Sequence, residues 1–171
     1  MREVIDMCNK IKEKKLHFVL NPDDSWGKFD ASFKTIVDTD WYEVKFLDDS
    51  CSALHNNMDT LPNDNGGIYV FIAKPEIIPC AHQYILYIGR AKLTKSQNLR
   101  KRCKEYFGDT RPKVYSMVNS WGNHLFIRYL PLSDNNIIDN LEKELIRTIF
   151  PPCNDYYPDK ITRMAMKSAF I

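Results

Sequence analysis

The 171-residue sequence contains no apolar run approaching the ~20 residues that a membrane-spanning helix requires. No membrane partner is therefore expected. Met1 to Leu16 is studded with charges and has no apolar core segment, which argues against a signal peptide. Cysteine is scarce and unpaired in pattern. Cys8, Cys51, Cys80, Cys103 and Cys153 are odd in number, widely spaced and without a CxxC pair. That argues against a disulfide framework and against a zinc site, and for free thiols in a reducing, cytoplasmic setting. Cys80-Ala81-His82 is the one Cys/His near-neighbour pair, and no second pair completes it. Acid is missing from one stretch altogether. Arg90 to Lys104 carries Arg90, Lys92, Lys95, Arg100, Lys101, Arg102 and Lys104 and no Asp or Glu.

What is present describes an ordinary soluble globular chain, with 44% hydrophobic and 12% aromatic residues. The length allows one domain with a sizeable core, or one domain plus an extension. Net charge is only +2, but it is uneven. Residues 1–60 hold 8 Lys/Arg against 12 Asp/Glu, and residues 61–171 hold 16 against 10. The acid-free run implies a phosphate-rich partner. Its bland alternative is a solvated helix face.

Two apolar runs, Gly67 to Ala73 and Tyr84 to Gly89, are dominated by β-branched and aromatic residues and read as strands. Alternation puts Tyr69 and Phe71 on one face and Ile68, Val70 and Ile72 on the other. It places Ile85 and Tyr87 together on the second strand. Antiparallel pairing brings Tyr69 and Tyr87 onto one face. Upstream, Val4, Ile5, Cys8 and Ile11 have helical spacing within Arg2 to Leu16. Asn21-Pro22-Asp23-Asp24 is a turn. Phe33 to Leu47 reads as one or two strands broken at Asp38-Thr39-Asp40, and Asp48 to Asn65 as loop. Downstream, Ser96 to Phe107 is a helix packed through Leu99, Cys103, Tyr106 and Phe107. Arg102 and Tyr106 are four apart and share a face. Pro112 to Ser120 is a short helix, His124 to Leu132 a third strand, and Asp134 to Phe150 a strong helix stopped by Pro151-Pro152.

That last helix has its apolar stripe at Ile138, Leu141, Leu145, Ile146 and Ile149, with Glu142 on the flank. A carboxylate partly out of water needs a cation or donors. A divalent metal satisfies it, and so does a Lys or Arg one turn away. Periodicity alone leaves both open.

Gly67-Ile68-Tyr69 followed by Tyr87-Ile88-Gly89 resembles the GIY-YIG nuclease superfamily, which includes UvrC-type excinucleases, homing endonucleases and some restriction enzymes. Leu141-Glu142-Lys143-Glu144-Leu145-Ile146 and then Pro151-Pro152-Cys153-Asn154 is similar to the LE-x-x-LI…P-x-x-N ending of UvrC-type domains. Asn98 to Phe107 resembles the helix that carries the family's catalytic Arg. The resemblance spans about Gly66 to Asp155. It implies an α/β (α+β) fold with a small, mainly antiparallel three-stranded sheet flanked by helices. Residues 1–65 then form an N-terminal extension, as scaffold or dimer surface, and 66–171 the nuclease domain. Glu142 matches the metal-binding Glu and Arg102 the catalytic Arg. Tyr106 stands where the family shows His or Tyr, Arg90 near its post-YIG polar residue, and Asn154 at its Asn. The departures are the long separation of the two tyrosines, Tyr87 standing 18 positions after Tyr69, and the loop Ala91 to Gln97.

The implied activity is Mg²⁺- or Mn²⁺-dependent hydrolysis of DNA phosphodiesters, in a restriction or defence role. Tyr69 would accept a proton as phenolate, which requires a pKa below the usual ~10. Arg102 would hold non-bridging oxygens, Glu142 the metal, and Tyr87 and Tyr106 would orient phosphate or water. Arg90, Lys92, Arg100, Lys101, Lys104 and Asn154 would bind DNA. A non-catalytic nucleic-acid-binding module and an RNA-directed nuclease are the alternatives. Cutting both strands of a duplex would favour a homodimer through residues 1–65.

Overall fold

The computed structural model describes residues 26–158 together with 3–7, 16, 18, 20, 23 and 164. Residues 3–7, the described part of the helix expected over Arg2 to Leu16 apart from Leu16, are helical, with Val4 and Ile5 exposed. Cys8, Ile11 and most of the expected turn at 21–24 lie outside the described residues. Four strands form one antiparallel sheet: β1 (Tyr42–Lys45), β2 (Gly66–Ala73), β3 (Tyr84–Ala91) and β4 (Leu125–Leu132). Their spatial order is β1-β4-β2-β3, so β2 is central and β3 is an edge. The helices are α1 (Ala31–Val37), α2 (Leu99–Lys104), α3 (Pro112–Trp121) and α4 (Asn135–Ile149). Among the described residues no helix is long and apolar enough to cross a membrane.

All eight residues of β2 are buried, because it is packed on both faces. Tyr69, Phe71 and Ala73 enter one core with Leu99, Cys103, Tyr106, Val114 and Met117 from α2, the 3₁₀ turn after it (Glu105–Gly108) and α3. Ile68, Val70 and Ile72 enter the other with Ile138, Leu141, Leu145 and Ile146 of α4. The alternation expected for this strand thus divides two cores. Each fully buried aliphatic side chain stabilises by about 1.5–3 kcal/mol, enough to make the register strongly preferred. The helix ends follow their local chemistry. Asp134 accepts from the N–H groups of Asn136 (2.7 Å) and Ile137 (3.2 Å) at the start of α4, and Phe150 closes its end in the left-handed region. Asn98 accepts from Lys101 N–H at 2.8 Å to start α2.

Four expectations are corrected. The sheet has four strands, not three, because Tyr42–Lys45 pairs along β4 with Tyr42 opposite Tyr129 and Val44 opposite Ile127. Residues 42–45 therefore complete the same sheet as residues 66–132. Phe33 to Val37 is helix rather than strand. Asp30 caps it by accepting from Ser32 N–H at 2.8 Å, and Phe33, Ile36 and Val37 pack on the α4-side core at helical spacing. Ile85 and Tyr87 do not share a face. A register shift against Phe71/Ile72 makes Leu86 an extra residue, so Tyr87 and Leu86 join Tyr69's core while Ile85 packs on the other. Phe107 is also exposed, leaving Leu99, Cys103 and Tyr106 as the packed side of its helix.

Candidate active site

The spelling of the two tripeptides has a direct steric cause. Gly67 has φ 151°, and a Cβ there would lie 2.2 Å from the Leu130 carbonyl oxygen. Tyr69 pairs opposite Gly89, and its ring lies across that glycine. A Cβ on Gly89 would meet the Tyr69 hydroxyl oxygen at 2.5 Å and Cζ at 2.6 Å. The glycine of the second motif is thus the space that the tyrosine of the first one fills.

Tyr69 is almost wholly buried, and its hydroxyl lies 2.8 Å from that of Tyr106. Tyr87 packs on Tyr106 at 5.4 Å between ring centroids. The Arg102 guanidinium stands 5.1 Å over the Tyr106 ring, and Arg102 Nη1 donates to Glu105 Oε2 at 2.7 Å. Burial pushes the Tyr69 phenol well above its usual value, and Tyr106 and Tyr87 add to this. Arg102 pulls the other way without offsetting them. Burial raises Tyr106 as well. The expected phenolate at Tyr69 requires a lowered pKa, and burial acts in the opposite direction, favouring the neutral phenol.

Glu142 projects from α4 beside β3, with its side chain 16% exposed. Arg90 Nη1 donates to Glu142 Oε2. Arg90 Nε also lies 2.9 Å from Asp139 Oδ1, although that oxygen has no aligned hydrogen bond. Lys92 closes the group, 2.5 Å from Asp139 Oδ2. Burial raises the Glu142 carboxyl above its usual value, against the pull of Arg90. Since β3 is the edge strand, groups from both sides of the sheet can meet around it. They do so in a cleft of about 460 Å³ lined by Tyr69, Tyr87, Arg90, Arg102, Glu142 and Lys143, with Ile146, Tyr156 and Pro158.

Five of the expected residues therefore line one cleft, and Tyr106 supports it from behind. The expected DNA-binding set is mostly engaged elsewhere. Arg90 and Lys92 face carboxylates. Arg100 Nε donates to the Leu61 carbonyl at 2.6 Å, and Lys101 Nζ to the Ser96 carbonyl at 2.7 Å. Lys104 pairs with Asp59 at 2.5 Å. Asn154 is corrected outright. It is 4% exposed, its Nδ2 donates to the Ile88 carbonyl at 2.8 Å, and its Oδ1 accepts from Ile88 N–H at 2.9 Å. Its amide acts as one more strand residue on the free edge of β3. Beside it, Cys153 N–H donates to the Leu86 carbonyl at 2.9 Å.

Sequence reading missed Lys143, Tyr156 and Pro158 in the cleft and Arg111 behind it. Lys143 adjoins Glu142 in sequence, which is a usable signal. Tyr156 and Pro158 arrive only because the chain turns back after Pro151-Pro152. No family model, curated protein or solved structure matches the chain.

A hard divalent cation fits the donor set in one specific way. Among the described residues no group of three or more His, Cys, Asp or Glu could cage it. Mg²⁺, however, is commonly held by one or two carboxylates with substrate oxygens and water completing the shell. Glu142, with Asp139 one turn earlier, offers that, provided Arg90 yields an oxygen.

Proposed function

We propose that this chain is a metal-dependent endonuclease of GIY-YIG type, hydrolysing DNA phosphodiesters in a restriction or defence role. The observation that carries the reading is the cleft itself. It gathers Tyr69, Tyr87, Arg102 and Glu142 from four separate elements, with the steric fit of Tyr69 over Gly89 at its base. Hydrolysis of a phosphodiester needs charge neutralisation, an oriented water whose proton passes to bulk water, and a stabilised leaving oxygen. Arg102 presents a planar fork to the non-bridging oxygens. Tyr87, at the cleft wall, is placed to orient water or phosphate by hydrogen bonding. Tyr69 and Tyr106 act as neutral phenols: Tyr106, behind the cleft, holds Tyr69 through their hydroxyl contact, and Tyr69 donates where charge develops. Glu142 would hold the divalent cation, which when bound supplies Lewis-acid stabilisation near the leaving 3′ oxygen. Arg90, displaced from Glu142, becomes available to a phosphate. Two protomers would supply two sites for the two strands of a duplex.

Incubation of the chain with plasmid DNA and with single-stranded RNA, in Mg²⁺ or in EDTA, tests this. Mg²⁺-dependent nicking of DNA, abolished by EDTA and by Glu142→Ala with DNA binding kept, is expected. Binding without cleavage in Mg²⁺ or Mn²⁺ would instead favour a non-catalytic nucleic-acid module. Cleavage of RNA alone would reassign the substrate.

A further inference from the structure

Behind the cleft, a second arginine reaches the same tyrosines. Arg111 places its guanidinium 5.5 Å from the Tyr106 ring centroid and 5.9 Å from that of Tyr87. Arg102 approaches Tyr106 from α2. Tyr106, hydrogen-bonded to Tyr69, is thus flanked by two guanidinium groups.

The local chain fixes Arg111 with unusual completeness. Asp109 Oδ1 accepts from the Arg111 backbone N–H at 2.9 Å and from its Nε at 3.1 Å. Asp109 Oδ2 accepts from Nε at 3.0 Å and from Nη2 at 2.7 Å. The guanidinium is therefore gripped along one edge, which leaves Nη1 on the side away from Asp109. Pro112 occupies the first turn of α3 and stiffens the backbone just after the arginine. Asp109 itself is largely covered, with 16% of its side chain exposed. A long side chain on a surface would ordinarily sample many rotamers, and this one has been anchored before any substrate arrives. A plain surface ion pair has no need of contact with two site tyrosines.

We propose that Arg111 is a positioning residue: gripped by Asp109, it holds Tyr87 and Tyr106 in register with the cleft. This rests on the nuclease reading above. Arg111 touches no reacting atom in this scheme and acts through Tyr87, the tyrosine of the pair that lines the cleft.

The test is a double-mutant cycle on plasmid nicking in Mg²⁺, using the native chain, Arg111→Ala, Tyr87→Phe and the double variant, with thermal melting of each. Arg111→Ala is expected to lower kcat about tenfold to a hundredfold, a range typical of losing orientation of a polar group. KM and melting temperature should stay near native. The double variant should be no slower than the slower single one, because both changes disable one unit. Arg111→Lys should recover little, since an ammonium cannot take the two-oxygen grip of Asp109. Asp109→Asn should lower kcat in the same direction. Native cleavage with an unchanged kcat in Arg111→Ala overturns the proposal while leaving the nuclease reading intact. A raised KM with kcat unchanged makes Arg111 a substrate anchor and also overturns it. Fully additive losses in the double variant do the same. No nicking by the native chain overturns the nuclease reading, and this inference with it.

Discussion

Replacing Asn154 by alanine separates two roles that the sequence cannot distinguish. Ile88 sits on the free edge of β3, with its N–H and C=O turned away from β2 and met by the Asn154 amide at 2.9 and 2.8 Å. Alanine removes both partners at once. A buried donor or acceptor left unsatisfied costs ~1–3 kcal/mol. Water entering the vacated space recovers part of that, so a loss of roughly 2–4 kcal/mol is expected. For a chain of this size each kcal/mol shifts the midpoint by about 2–4 °C, so melting should fall by roughly 5–15 °C. Asn154→Asp should fare no better, because its carboxylate can accept from Ile88 N–H but faces the Ile88 carbonyl without a donor. The assay is thermal unfolding by circular dichroism, paired with amide hydrogen exchange. The Ile88 amide should lose protection more than amides in the middle of β2. DNA affinity, measured well below both midpoints, should stay near native. A melting temperature within about 2 °C of native, together with lost DNA affinity, would refute the edge-capping argument and restore Asn154 to the DNA interface.

Three further outcomes are expected. Gly89→Ala forces a methyl against Tyr69, whose ring is locked by Phe71 and Tyr106, so it should cost about 1–3 kcal/mol of stability and most nicking activity; native activity in that variant would show that Tyr69 can move aside. Arg102→Ala should slow cleavage by ~10²-fold or more with a far smaller change in DNA affinity, and equal losses in both would make it a phosphate anchor alone. Burial raises the Glu142 carboxyl in the folded state, so the folded chain binds that proton more tightly than the unfolded one. The resulting stability is fully present below the unfolded carboxylate range and is lost as pH rises through the folded value. Relative to the native chain, Glu142→Gln should therefore gain melting temperature as pH rises from about 4 to 7, and a shift in the opposite sense would show Arg90 outweighing burial.

What the sequence determined by itself was local and periodic. Alternation in Gly67 to Ala73 assigned each side chain of β2 to its core, since a period of two leaves no choice once both faces are buried. The span of α4 followed from its apolar stripe and the prolines that stop it. Tyr69, Tyr87, Arg102 and Glu142 were singled out by their resemblance to a known motif order, since periodicity alone left Glu142 open between a metal and a neighbouring cation. Tertiary structure decided what depends on partners distant in sequence. Phe33 to Val37 has side chains that suit a strand, and the Asp30 cap with the α4-side core made it helix. The extra residue at Leu86 turned Ile85 away from Tyr87, which strict alternation could not foresee. Burial pushes the Tyr69 phenol up despite the nearby Arg102, a balance set by neighbours distant in sequence. Asn154 lies 66 residues from Ile88 in sequence, and only folding around the β3 edge shows that its amide closes a strand.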